Sequence, residues 1–481
     1  MVSDSLGRSA SRGGLATFSG QLVRLAIYGV GVVVLGRLLS PSDYGLMAMV
    51  VAVVGLGEVI REFGLSFAAV QAAHLSQAQR SNLFWISSGL GALLAIVTFF
   101  ASWPLASFYS EPAVVPITQA LSVSFLFSGI SAQLKANLTR ELRFSSMAVA
   151  EVVAPFLGLA FAILIAVLGG GYWALVCQQV TIQLVLMAYY IIANRWRPSL
   201  YSREASVRSL VANGASILGV QVLSYASRNV DSIVIGATMG PRPAGVYNMA
   251  FQLMILPLNQ INAPSTSVAF PVLSRLQQNR ERFNEFLERG QLVMVTVIVG
   301  CFGLVVPLAP LLIPLIVGDQ WHDSVPLFQI LAVGGVAQAV SYATYWVFLS
   351  LGLFRSQLFW SLATRPIIVV CVILGANWGT TGVALGYALP LLALWPLGIF
   401  WVSRVSFIRP WTLFWTGART IIVFAVCGFA AWGASLLPIP PALAILAGAA
   451  AYVSAYGFIL LVSPRIRSDV GEISHSISLI R

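Results

Sequence analysis

Apolar runs of about twenty residues recur along the whole chain, and they constrain its fold more than any motif does. A bilayer core about 30 Å thick is crossed by about twenty residues of helix. Inside it every backbone amide must find its partner within a helix or a closed barrel. The runs fall at 16–39, 45–67, 82–103, 113–133, 147–168, 172–193, 210–237, 245–272, 290–317, 325–350, 356–376, 380–402, 419–437 and 441–462. They predict an all-α polytopic membrane protein of about fourteen transmembrane helices. Of the 481 residues, 58% are apolar and 9% are charged, against about 45–50% and about 25% in a soluble domain. That balance excludes an ordinary soluble enzyme, a disordered chain and a disulfide scaffold. No segment between the runs is long enough for a sizeable soluble domain.

The net charge of +11 would suggest nucleic acid if it were gathered on one surface. Here the basic residues are scattered between apolar runs, so they are read as topology and no nucleic-acid partner is expected. With the N-terminus inside, the inner segments hold Arg80, Lys135, Arg140, Arg143, Arg195, Arg197, Arg203, Arg208, Arg275, Arg280 and Arg404 among others, whereas the outer loops hold Arg242. This is the positive-inside pattern, and it predicts that both termini are cytoplasmic. Residues 1–14 are polar and the first apolar run is too long for a signal-peptide core, so no cleaved leader is expected. Cys177, Cys301, Cys371 and Cys427 all lie in apolar runs with no C-x-x-C spacing. They read as packed thiols, with no metal and no cofactor.

An internal repeat is visible. Gly36, Pro41 and Gly45 recur at a constant offset as Gly236, Pro241 and Gly245, so that LGRLLSPSDYGLMAM resembles IGATMGPRPAGVYNM. VVP at 114–116 is echoed by SVP at 324–326, and Ala174-Leu175 by Ala384-Leu385. Each repeat covers six spans, an even number, so both copies enter from the same side, a parallel repeat. The expected organisation is an N-terminal six-helix lobe at 1–195, a cytoplasmic linker at 196–209, a second six-helix lobe at 210–403, two extra helices at 404–463 and a cytoplasmic tail at 464–481. Pro257, Pro264 and Pro271 in the eighth span, and Pro307, Pro310 and Pro314 in the ninth, are either hinges or ordinary membrane prolines.

LGRLLSPSDYGLMAM, EFGLSFAAVQ and, most specifically, the stretch from Ser227 to Arg275 resemble the bacterial polysaccharide-biosynthesis flippases. These are the Wzx-like branch of the multidrug/oligosaccharidyl-lipid/polysaccharide exporter superfamily. The resemblance covers nearly the whole chain. It implies a MATE-like arrangement of two six-helix lobes plus two C-terminal helices. It also implies a transporter, not an enzyme, which moves prenyl-diphosphate-linked oligosaccharide from the inner to the outer leaflet by alternating access. The partners it implies are that lipid, membrane lipids, and the glycosyltransferases and polymerase of cell-surface polysaccharide assembly. A peptidoglycan-precursor flippase of the same superfamily remains an alternative.

Ionisable residues in a span cost about 2.5–3.5 kcal/mol each at the bilayer centre and normally face protein or water. Arg24, Arg61, Arg228 and Arg365 are candidate ligands for a diphosphate, because guanidinium stays charged and grips phosphate oxygens in a fork. Arg24 lies about 12 Å into the first span at 1.5 Å per residue and has no acid at helical spacing; snorkelling to the headgroups is the competing reading. Arg365 precedes Pro366 and could instead cap a loosened backbone carbonyl. Glu58, Arg61 and Glu62 share a helix face, as do Arg228 and Asp231. The carboxylates Glu58, Glu62 and Asp231 are read as gating or ion-pair groups. Gln133, Asn137, Gln338, Tyr342, Tyr345 and Trp346 could meet sugar or simply pack. A cation or drug antiporter would want acid in the cavity, where arginine here at least matches it. A membrane enzyme would need an outer catalytic pair, for which Glu111, Asp319, His322 and Asp323 are poor material.

Overall fold

The computed structural model describes residue 21 and residues 23–71, 76–202 and 208–478. Their regular elements are helices: α1 (23–38), α2 (Pro41–Gln71), α3 (Gln77–Tyr109), α4 (Val114–Arg140), α5 (Phe144–Val167), α6 (Trp173–Ala193), α7 (Arg208–Met239), α8 (Pro241–Arg275), α9 (Arg280–Val317), α10 (Ser324–Ser350), α11 (Phe354–Gly375), α12 (Gly379–Val405), α13 (Pro410–Ser435), α14 (Pro441–Val462) and α15 (Pro464–Ser478). Ten helical stretches among them, one spanning α11 and α12 together, are long and apolar enough to cross a membrane. With α1, α7 and α8 they account for the fourteen expected runs, and α15 is a polar tail helix beyond them.

Local chemistry sets the helix boundaries. Ser40 and Asp43 cap α2 reciprocally: the Ser40 amide donates to Asp43 Oδ2 at 2.9 Å, and the Asp43 amide to Ser40 Oγ at 3.3 Å. Ser76 and Gln79 form the same device at the start of α3, which satisfies amides with no intrahelical acceptor. At the second copy of the SP/GP motif the cap is Gly240, whose φ of 85° suits glycine.

The described residues form two compact units, Met1–Gly245 and Val246–Arg481. In the first, α3 packs on α4, α4 on α6, α5 on α6, and α2 on both α4 and α7. In the second, α9 packs on α10, α10 on α12 and α11 on α12, while α13 lies against α9 and α14. The α3–α4, α4–α6 and α5–α6 pairings thus recur as α9–α10, α10–α12 and α11–α12, which is the repeat expressed as packing. Small residues carry the close approaches, as expected where lipid removes the hydrophobic drive between helices. A Cβ built on Gly91 would fall 2.9 Å from Gly129 Cα.

The two copies of the repeated motif meet in the first unit. A Cβ on Gly45 would strike the Pro241 carbonyl oxygen, and a Cβ on Gly245 would strike that of Pro41. One turn or more along α2, the Tyr225 hydroxyl of α7 donates to the Val51 carbonyl at 2.9 Å, directly opposite Gly55.

Prolines inside α8 and α9 leave the helices continuous. Proline at position 310 removes the amide that would bond the carbonyl of residue 306. Gln329 of α10 supplies the missing donor, its Nε2 reaching the Val306 carbonyl at 3.1 Å. This agrees with the bland reading of membrane prolines at that position.

One end of the first unit is sewn by polar groups. Residues 194–202 have no helix and run along the first turns of α3. The Ser199 amide donates to Ser81 Oγ at 3.0 Å, and Trp85 Nε1 donates to the Ser199 carbonyl at 2.9 Å. Asn82 and Ser202 exchange two hydrogen bonds. Asn194 donates to the Leu134 carbonyl at 3.0 Å, and Arg143 to the Ala193 carbonyl at 2.7 Å. Arg80, Asn137, Arg143 and Asn194, spread over the sequence, therefore gather at one end, as alternating spans require.

Candidate functional site

Among the described residues of the first unit, the charged candidates from the apolar runs lie in three places. The outermost in sequence is Arg24 of α1, whose Nη1 donates to Glu151 Oε2 of α5 at 3.3 Å. The other carboxylate oxygen, Oε1, accepts from Lys135 Nζ of α4 at 3.4 Å. The three side chains are 52%, 37% and 47% exposed for Arg24, Glu151 and Lys135. Two cations therefore share one carboxylate at the meeting of three helices. The chemistry is that of an open cationic cluster.

The second group is closed. Arg61 Nη2 lies 2.7 Å from Glu58 Oε2, one turn away, with Nε also donating to that oxygen at 2.9 Å. Arg61 Nη1 reaches the Ser128 carbonyl of α4 at 3.3 Å, and the Ser128 hydroxyl returns to Glu58 Oε1 at 3.4 Å. Arg61 is 13% exposed. This guanidinium is bonded on several sides by its own unit and fastens α2 to α4. Glu62 lies outside the described side chains.

Arg228 and Asp231 of α7 make the third group, and they diverge. Arg228 is exposed, with Nε donating to the Ser224 carbonyl at 3.3 Å. Asp231 is 2% exposed and accepts the Ser232 amide at 2.8 Å. One turn separates an outward guanidinium from an inward carboxylate.

In the second unit Arg365 is half-buried on α11, beside Pro366 within the helix. The aromatic candidates cluster on α10: Tyr342 and Tyr345 have ring centroids 5.3 Å apart, and Tyr342 and Trp346 6.1 Å. Trp346 is buried, and its Nε1 donates to Thr266 Oγ1 of α8 at 3.1 Å. It joins α10 to α8 and offers no open sugar platform, whereas Tyr342 and Tyr345 remain half-buried. Gln133 is buried and donates to Ser87, and Asn137 is buried and donates to Asn194. Both are packing groups, for the general reason that a buried amide must be bonded. Gln338 donates to the Tyr387 hydroxyl at 3.0 Å.

Sequence reasoning passed over Glu151. It is an isolated acid in the apolar run of α5, and that isolation was the available signal. Its pairing with Arg24 joins residues far apart in the chain and has no helical periodicity to betray it. All four cysteines are free. Among the described residues no group of three or more His, Cys, Asp or Glu is placed to hold a metal ion.

Helical stretches long and apolar enough to cross a membrane, with pairings repeated between the two units, make the described residues those of a polytopic membrane fold. The fold is that of the solved lipid II flippase MurJ in an inward closed conformation: TM-score 0.69, 14% identity, covering 94% of this chain and 99% of that one. An inward-facing multidrug-resistance MATE transporter of the MOP superfamily gives a TM-score of 0.64 at 15% identity, covering 82% and 98%. Residues 34–326 match the family described as polysaccharide biosynthesis protein, and the chain belongs to that family. Its relatives include the lipopolysaccharide biosynthesis protein WzxC of Escherichia coli (strain K12), 24% identical over 76% of each chain. The teichuronic acid biosynthesis protein TuaB of Bacillus subtilis (strain 168) is 23% identical over 79% of each.

Proposed function

We propose that this protein moves a prenyl-diphosphate-linked oligosaccharide from the inner to the outer leaflet of a bacterial plasma membrane, by alternating access, for the assembly of a cell-surface polysaccharide. Membership of the polysaccharide biosynthesis family supports the pathway, and the MurJ- and MATE-like fold supports transport as the mode of action. The observation that carries the substrate class is Arg24, a half-exposed guanidinium within an apolar helix.

The physical argument is one of desolvation. A diphosphate carries two or three negative charges, and moving them bare through a low-dielectric region is prohibitive. Exposed guanidiniums offset that cost with charge-assisted, forked hydrogen bonds. Arg24 and Arg228 in the first unit and Arg365 in the second are the proposed phosphate ligands. Arg61, already bonded to Glu58 and Ser128, acts as a fastener, with Glu58 as its counter-ion. Asp231 steadies the α7 backbone. Tyr342, Tyr345 and Gln338 are the groups proposed to meet sugar. Both termini lie in the cytoplasm, where glycosyltransferases would build the cargo; a polymerase would receive it outside.

Deletion of the gene is expected to trap lipid-linked oligosaccharide on the inner leaflet and remove the surface polymer. Wild-type protein restores the polymer, whereas Arg24→Ala and Arg228→Ala restore little of it at normal abundance. Full restoration by both variants overturns the assignment of these residues. A deletion strain with unchanged surface polysaccharide and no trapped intermediate overturns the function.

A further inference from the structure

We propose that Glu151 is an exchangeable counter-ion, which holds Arg24 between transport events and yields it to a phosphate oxygen of the lipid cargo. The proposal rests on the reading of Arg24 as a diphosphate ligand. It adds a residue that no helical spacing ties to Arg24, and a reason why an arginine can stand in the membrane when no cargo is bound.

Two ion pairs in the same unit show the contrast. Glu58 and Arg61 approach to 2.7 Å, Arg61 is 13% exposed, and Ser128 bonds both partners. That pair has the short distance of a strong charge-assisted bond and is fixed. Arg24 and Glu151 stand 3.3 Å apart at 52% and 37% exposure, and Glu151 is shared with Lys135 at 3.4 Å. Longer, exposed and divided between two cations, this carboxylate is weakly held. A diphosphate presents more charge and more oxygens, in the spacing that a guanidinium fork matches.

Exchange solves a problem that simple binding does not. An arginine left bare in a span is costly to insert. Were it always bare, the site would bind cargo tightly and release it slowly. With Glu151 returning to Arg24 as phosphate departs, the guanidinium is compensated before loading, during carriage and after release. Because Arg24, Lys135 and Glu151 sit on α1, α4 and α5, the exchange also senses the relative placement of three helices. Lys135, deprived of its carboxylate when cargo binds, becomes available to the same phosphate.

The test uses the purified full-length chain in lipid nanodiscs, with farnesyl diphosphate and inorganic pyrophosphate as probes. Glu151→Gln is expected to bind farnesyl diphosphate about three- to tenfold more tightly, the size of a modest coupling energy. In cells it should deliver less surface polysaccharide at normal abundance, because release is slowed. The gain in affinity should vanish in the Arg24→Ala background. Glu151→Asp, which keeps the charge, should bind like wild type and restore the polymer; a packing role would not follow charge in this way. Should Glu151→Gln fold poorly, Lys135→Gln leaves the carboxylate to Arg24 alone and is expected to lower affinity severalfold. Unchanged or weaker binding by a folded Glu151→Gln, where Arg24→Ala does weaken binding, overturns the exchange and leaves the Arg24 assignment standing. Binding that Arg24→Ala does not affect overturns the assignment beneath it. A gain confined to inorganic pyrophosphate overturns the lipid headgroup as the ligand.

Discussion

Gly45 and Gly245, the matching glycines of the two repeats, each face the carbonyl of the proline that opens the other's helix. A side chain on either would collide with backbone, Gly45 with the Pro241 carbonyl and Gly245 with that of Pro41. The starts of α2 and α8 can approach this closely only because both positions lack a Cβ.

Gly45→Ala and Gly245→Ala are therefore expected to destabilise the protein by about 1–3 kcal/mol each, the usual range for overpacking. The obstacle is backbone, which cannot rotate away. Thermal midpoints of detergent-solubilised protein, read by fluorescence-detected gel filtration, should fall for both. Gly29→Ala, with nothing within 4 Å of its built Cβ, should leave the midpoint unchanged. A drop for Gly29→Ala equal to that for Gly45→Ala would contradict the packing argument.

The Glu58–Arg61–Ser128 knot makes a second prediction, on asymmetry. Removing Arg61 leaves a part-buried carboxylate without its cation, at a cost of about 1–3 kcal/mol. Removing both charges, as in Glu58→Gln with Arg61→Gln, leaves neutral groups that can still bond Ser128. Arg61→Ala should lower the thermal midpoint more than the double variant does. A double variant as unstable as the sum of its singles would show that the two residues are uncoupled.

How far the sequence could be read differs by the kind of interaction. Spans follow from composition over about twenty residues, which is why the helices fall on the apolar runs. Glu58–Arg61 was visible as a one-turn spacing. Gly45 and Gly245 were visible as a repeat, yet nothing in the repeat says that the copies touch each other. Glu151 bonds Arg24 across three helices, and only packing creates such a neighbour. Arg228 and Asp231 share a spacing but not a burial: a helix face seen from sequence has no depth until its neighbours are placed.

The tail helix α15 gives a prediction with a pH sign. Asp469 accepts from Arg419 Nη2 of α13 at 2.8 Å. Burial raises its carboxyl above the ordinary range, opposed by the neighbouring Arg419 and reinforced by Glu472. A carboxyl raised on docking binds its proton more tightly docked than free. Docking is then strongest below the ordinary carboxylate pKa and weakens as pH rises through the raised value. Arg419→Ala removes the cation that opposes the shift, so this weakening should extend toward neutral pH; Asp469→Asn should abolish it. Amide hydrogen exchange in residues 464–472 measures each case, and an exchange profile in Arg419→Ala independent of pH beyond the intrinsic rate would refute it.

Membrane orientation gives the last prediction. At one end of the first unit Arg80 bonds Asn137, Asn137 bonds Asn194 and Arg143 bonds the Ala193 carbonyl, and Arg195 and Arg197 follow directly in the chain, so that the end is basic. The positive-inside rule assigns that end to the cytoplasm. The connections expected outside carry Glu111, Asp319 and Asp323, with Arg242 as the basic exception. Alkaline phosphatase, active only outside, should report activity when fused after Glu111, Gly171, Arg242, His322, Trp378 and Leu437. It should stay silent after Arg143, Arg197, Arg280, Arg355, Arg404 and Arg467. Because consecutive fusions must alternate, a single wrong span would invert every reporter beyond it; activity after Arg467 would place the tail helix outside and break the assignment of α15 to the cytoplasmic face.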